Sequence, residues 1–252
     1  MLINVNNIQC RNIDQYKASN RATPFWIAKY IFNYESESFD KKVLDFIEAE
    51  GLRLAQAVND NAANASTRIR SNERKQSNAI AGVLAEYCWK HFINANSLEL
   101  LVKETSFEQA ASQIDLETLK NNKTIEVRSS FPRNGIEFAI CSPNYQFDIL
   151  GPYKNNYKPN EIQKDFYLRA LFHVPTPISF LTMFKRDGFP VYLTGGATWD
   201  MMADDNVAIE KNLIPEDDIN DTEIQSAYRV IPFSRALDCK DILTLIKESE
   251  NS

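Results

Sequence analysis

Residues 113–130 read QIDLETLKNNKTIEVRSS, and this stretch decides the architecture. In its second half, residues 124–128, side chains alternate as they do along a β-strand: Ile125 and Val127 point one way, Thr124, Glu126 and Arg128 the other. In its first half, residues 113–116, Ile114 and Leu116 share a side and Asp115 opposes them. A turn around residues 120–122 folds the two runs into a hairpin. Two registers are open, with Asp115 opposite Glu126 or opposite Arg128. Either gathers Asp115, Glu126 and Arg128 on one polar face.

Phe39, Val43, Leu44, Phe46 and Ile47 recur at helical spacing and lead into an alanine-rich stretch ending near residue 57. Residues 78–94, NAIAGVLAEYCWKHFIN, place Ile80, Val83, Leu84, Tyr87, Cys88 and His91 on one face, with Trp89 and Ile93 on another. This helix is apolar nearly all round and should be central. Short runs at 98–102, 137–141, 146–150, 178–184, 190–193 and 228–232 read as strands between Asn, Ser, Pro and Gly signals. Residues 160–172, between Pro159 and Pro175, read as a further helix. The expectation is one α/β domain over 1–252, with an N-terminal helical part over 1–78 and an α/β core over 79–252. No internal repeat or low-complexity linker divides it.

Composition narrows the chemistry. The 252 residues contain 7 scattered glycines, so no glycine-rich phosphate loop or dinucleotide turn can be written. Two distant histidines, His91 and His173, leave no HExxH zinc site. Reactive groups must then be carboxylates. The four cysteines, Cys10, Cys88, Cys141 and Cys239, form no CxxC pair and read as reduced, mostly buried thiols of a cytoplasmic protein. The longest apolar run, 178–184, is too short to span a bilayer, so no membrane partner is expected. The net charge of −6 hides an asymmetry: residues 199–225 hold nine acids against Lys211, which leaves the rest of the chain at +2. A phosphate backbone responds to the local field, so an acidic total does not exclude nucleic acid.

Two carboxylates brought together repel unless a cation joins them, and hard oxygen ligands suit Mg²⁺. Asp115, about ten residues, then Glu126-x-Arg128 framed by Ile125 and Val127 resembles the PD-(D/E)xK nuclease superfamily. Glu86, in GVLAEY on the preceding helix, matches the glutamate that members commonly carry there. The resemblance covers residues 80–172. It implies a restriction-endonuclease-like mixed central sheet flanked by helices, and a Mg²⁺- or Mn²⁺-dependent DNA endonuclease of restriction or defence type. Asp115 and Glu126 would hold the metal, the Val127 carbonyl would be a third oxygen, and Glu86 would supplement the site.

Arg128 departs from the usual lysine. A guanidinium stays charged and can steer phosphate but not help prepare an attacking water. Either it acts electrostatically, or Lys123 or Lys164 fills the lysine's role, or the chain is a catalytically inactive nuclease-fold module that binds DNA or protein. Residues 67–75, TRIRSNERK, offer Arg68, Arg70, Arg74 and Lys75 to a phosphate backbone, or else form a solvated interhelical loop. Ser129, Ser130, Arg133, Lys154, Lys158 and Lys164 could add contacts. Plainer readings stand beside these: Glu86 could pair with Lys90 one turn on, Glu117 competes with Asp115, and hairpin acids are usually solvated. Phe25, Trp26, Tyr30, Phe32 and Tyr34 read as core. A homodimer is expected if both DNA strands are cut, since that takes two active sites.

Overall fold

The computed structural model describes residues 2–8, 24–34, 38–57, 71–105, 115–142, 148–154, 161–213 and 226–251. The chain is α/β. Its ten described strands are β1 (Leu2–Ile8), β2 (Phe25–Ile31), β3 (Val102–Glu104), β4 (Leu116–Thr118), β5 (Thr124–Ser130), β6 (Ile149–Lys154), β7 (Phe166–Leu171), β8 (Pro190–Thr198), β9 (Ile209–Leu213) and β10 (Ser226–Ile231). The described helices are α1 (Phe39–Ala57), α2 (Asn72–Ala95), α3 (Ile136–Cys141), α4 (Ser179–Met183), α5 (Trp199–Ala203) and α6 (Cys239–Ser249).

Seven strands form a large sheet in the order β1-β2-β8-β7-β5-β4-β3. It is mixed: β5 and β7 run parallel, and its other pairs are antiparallel. One face carries a core of Ile125, Val127, Phe166 and Leu168 from the sheet, Leu84, Cys88 and Trp89 from α2, and Ile242 and Ile246 from α6. On the other face Phe25, Tyr167 and Leu171 pack with Ile149 and Ile231 of a second, three-stranded sheet, β6-β10-β9. The layers are helices, large sheet, small sheet.

A hairpin forms around the expected turn, but its first strand is 116–118 rather than 113–116, of which residues 113 and 114 lie outside the described residues. Leu116 pairs with Ile125 and Glu117 with Thr124, the register that puts Asp115 in line with Glu126. Asn122 adopts φ 51° at the turn, a conformation that Asn tolerates better than most residues. The carboxylate of Glu250, just past α6, secures this turn: it accepts from Thr118 Oγ1 at 2.6 Å, Lys120 N at 2.7 Å and Asn121 N at 3.0 Å.

Several expectations are corrected. The N-terminal part is not purely helical: β1 and β2 extend the large sheet, and Phe25, Tyr30 and Phe32 are core as expected. Residues 166–171, FYLRAL, form a strand rather than a helix because all six are buried, and burial on both faces erases the alternation that marks a strand. Residues 179–183 form a helix rather than a strand, stacking Phe180 on Phe184 across one turn at 5.2 Å. Residues 136–141 are also helical; Gly135, at φ 92°, sets the entry into that turn. Of the run at 98–102 only Val102 enters a strand. Helix α2 begins earlier than expected, where Ser71 caps it by accepting from Arg74 N at 3.2 Å. Cys88 and Cys239 are free and buried, but Cys141 is disulfide-bonded, against the expectation of four reduced thiols. No described helix is long and apolar enough to cross a membrane.

Candidate functional site

Strand β4 diverges from β5 at Asp115, and the site opens there. Asp115 N still donates to Ile125 O at 3.0 Å, while its Oδ2 accepts from Val127 N at 2.6 Å and so replaces the next rung of the ladder. Thr124 O accepts from Asp165 N on the β7 side and Ile125 O from the β4 side. By alternation, the N–H and carbonyl of Val127 leave β5 on the Asp115 side. Glu126, 3% exposed, lies in line with Asp115. Helix α2 packs on β5 and brings Glu86 into the electrostatic reach of Asp115.

Burial sets the proton affinities. It raises the Glu126 carboxyl to about 8: Arg128 opposes the shift, and Glu161 and Asp115 reinforce it. Burial likewise raises Glu86 to about 7, with Glu104 adding to it. Asp115 is pushed well above the usual carboxylate range by burial and then by Glu86, against the Val127 N–H. Lys90 does not neutralise Glu86; it pairs with Glu104 of β3 at 2.5 Å. Glu117, the competitor of Asp115, is drawn to Lys103 at 3.3 Å on the sheet edge.

Arg128 is held on several sides. Its Nη2 lies 2.5 Å from Glu126 Oε1 and 3.3 Å from Glu161 Oε1, and the guanidinium sits 5.3 Å and 5.8 Å from the ring centres of Tyr153 and Tyr228. Burial alone would weaken its charge, but Glu126, Tyr228 and Glu161 outweigh burial and raise its proton affinity. Glu161 also accepts from Tyr153 N at 2.9 Å, which ties the small sheet to this ion pair. Sequence reasoning missed Glu161, which no local pattern links to a strand 33 residues earlier. Lys164 is fully buried, donates from Nζ to Ile162 O at 2.7 Å, and its charge is felt by both Asp115 and Glu126. Lys123 is instead paired with Asp165 at 3.0 Å, where both side chains are partly exposed.

The basic patch is only partly placed. Arg74 and Lys75 lie in the first turn of α2, about three helical turns from Glu86. Arg68, Arg70 and Lys158 lie outside the described residues, as do residues 214–225 of the acidic segment.

Among the described residues no group of three or more His, Cys, Asp and Glu side chains is arranged to hold a metal ion. A hard divalent cation that keeps most of its waters needs only one or two carboxylates. Asp115 and Glu126 fit that smaller requirement. Glu126 Oε2 is buried with no hydrogen-bond partner, so an acceptor stands ready beside a group that otherwise binds a proton at neutral pH. Chemically, Asp115 is the middle member of the cluster: it feels Glu86 and is felt by Glu126, and all three carboxyl groups take up protons at unusually high pH.

No family model matches the chain, and no solved structure matches it. It is similar to the uncharacterized protein MJECS01 of Methanocaldococcus jannaschii, at 28% identity over 273 residues, covering 94% of this chain and 92% of that relative.

Proposed function

We propose that this chain is a divalent-cation-dependent DNA endonuclease with a restriction-endonuclease-like core, acting in a restriction or defence role. One observation carries the reading: Asp115, where the hairpin strands diverge, feels the charges of Glu86 on α2 and of the buried Lys164, and Glu126 of β5 feels Asp115 and Lys164 in turn. The antiparallel β4–β5 hairpin, the parallel β7 beside it and α2 packed on β5 are compatible with that core.

Asp115 and Glu126 would hold Mg²⁺ or Mn²⁺, with the Val127 carbonyl as a third oxygen. The bound cation supplies Lewis-acid stabilisation of phosphoryl charge and a water of lowered pKa. Arg128 keeps Glu126 oriented and favours its ionised form. Glu86 is suited to exchange a proton near neutral pH. Lys164 takes the part of the positively charged motif residue that Arg128, locked in its ion pairs, does not perform.

A supercoiled plasmid incubated with the protein and Mg²⁺, beside Asp115→Ala and Glu126→Ala variants, tests the proposal. Cleavage by the parent alone is expected, and equal activity in all three preparations removes the assignment. A second reading, an inactive nuclease-fold module that binds DNA or protein, is favoured by the Arg128–Glu126 ion pair, which engages one oxygen of the metal-binding carboxylate. Salt-dependent DNA binding without cleavage in Mg²⁺ or Mn²⁺ would select it.

A further inference from the structure

A cleft of about 430 Å³ is lined in part by Tyr153 and Glu161, which both contact Arg128, the ion-pair partner of Glu126. That volume lies in the range of small-ligand sites. Its opposite wall is α5, which presents Trp199. The Trp199 backbone N–H donates to Asp165 O at 2.9 Å, next to Lys164. Its indole N–H makes no hydrogen bond and its ring stacks on no other aromatic among the described residues. Packed against the second core and half-buried, the indole offers a ligand an aromatic surface and a hydrogen-bond donor.

The charges of the cleft select against a phosphate. Its cations are Lys154 and Arg229, and both are already paired, with Glu210 at 3.0 Å and Asp205 at 2.6 Å. Glu161, the third acid of the lining, is likewise paired, with Arg128 at 3.3 Å. What remains is an aromatic face and one free donor. A flat, neutral, π-faced ring that carries an acceptor atom satisfies both.

We propose that this cleft takes an unpaired nucleobase of a nucleic-acid strand whose backbone passes Asp115 and Glu126, with the base stacked on Trp199. The assignment rests on the endonuclease reading for the strand as the source of the base, but not for the ring chemistry of the cleft. It also specifies the substrate: a strand locally unpaired next to the scissile phosphate, as in single-stranded DNA or at a distorted duplex site. Because Glu161 lines the cleft and also binds Arg128, an inserted base bears on the same ion pair that orients Glu126.

The test uses the full chain in EDTA, so that nothing is cut. Affinity is read from the anisotropy of an end-labelled single-stranded oligonucleotide, and stacking from tryptophan emission in the same titration. Trp89 is fully buried and Trp26 is covered by Lys240, so both give a background that the Trp199 variants share. The parallel titrations use the same strand with abasic residues throughout, free nucleosides as competitors, and the Trp199→Leu and Trp199→Phe variants. Quenching by the intact strand is expected, with affinity at least about tenfold lower for the abasic strand and for Trp199→Leu, and largely restored in Trp199→Phe. Equal affinity for intact and abasic strands, or no change in Trp199→Leu, overturns the proposal. So does the absence of quenching by the intact strand. Free nucleosides binding as tightly as the strand would overturn the strand as the source. If the intact strand is discriminated yet plasmid is never cleaved in Mg²⁺, the endonuclease reading falls and the cleft stands; cleavage without discrimination gives the reverse.

Discussion

Replacing Glu126 by glutamine should make the protein more stable, and increasingly so as pH rises. The folded Glu126 carboxyl holds its proton up to about 8 because burial disfavours the anion more than Arg128 favours it. In the unfolded chain the same group titrates near 4.5. Between those values the folded state keeps a proton that the unfolded state has lost, so stability falls as pH rises through the window and levels off above it. One pKa unit is worth about 1.4 kcal/mol, so the window amounts to about 5 kcal/mol. The glutamine amide does not titrate and lacks this loss. In urea titrations at pH 4 and pH 9, the wild type should lose about 5 kcal/mol relative to Glu126→Gln. With a denaturant slope on the order of 3 kcal/mol/M, that is a relative midpoint shift of about 1.7 M. Millimolar Mg²⁺ should shrink the loss in the wild type, since the cation takes the proton's place, and leave the variant unchanged. A gap between the two proteins that stays constant within about 1 kcal/mol from pH 4 to pH 9 refutes the burial argument.

Arg128→Met should cost about 3–5 kcal/mol at pH 8 by leaving Glu126 and Glu161 without their shared counter-charge, and less at pH 5, where Glu126 takes a proton; denaturant unfolding at the two pH values checks this. Glu250→Ala should cost about 2–4 kcal/mol, because three donors of the hairpin turn lose a charged acceptor. Burial opposes ionisation of Glu250, but Thr118, Lys120 and Asn121 outweigh burial and hold it below the usual carboxylate range. Its contribution is therefore complete above the ordinary value of 4.5 and lost as pH falls through the lower folded value, so the variant and the parent should converge in acid. Alkylation of the denatured, unreduced protein should modify Cys88 and Cys239 and spare Cys141 until a reductant is added, as read by peptide mass; labelling of Cys141 without reductant would exclude its disulfide.

The hairpin was legible because its signals are local. A period of two, a turn containing Asn122 and apolar Leu116 and Ile125 on one side leave few registers, and the observed one puts Asp115 in line with Glu126. Glu86 was legible for a different reason: an acid stands out on a helix that has little polar surface. Strand β7 was not legible, since FYLRAL is buried on both faces and loses the alternation. Helix α6 went unread although Asp238 caps it, accepting from Lys240 N at 2.9 Å and Asp241 N at 3.0 Å. The part played by Arg128 could not be read at all. It depends on Glu161, Tyr153 and Tyr228, which distant segments bring to it. The cysteine expectation failed at Cys141 because spacing alone carries no pairing information.

The small sheet constrains how this protein can change over evolutionary time. Strand β6 belongs to the connection between β5 and β7, whereas its partners β9 and β10 follow β8. The layer is stitched from two separate lengths of chain, with β7 and β8 of the large sheet between them in sequence. It cannot be gained or lost in a single insertion or deletion, as a cassette could be. Removing β6 alone would leave β10 paired only with β9 and strip Tyr153 from Arg128. Removing β9 and β10 would take Tyr228 from the same guanidinium. Variation should therefore accumulate by substitution within this layer, with both of its segments retained together or discarded together.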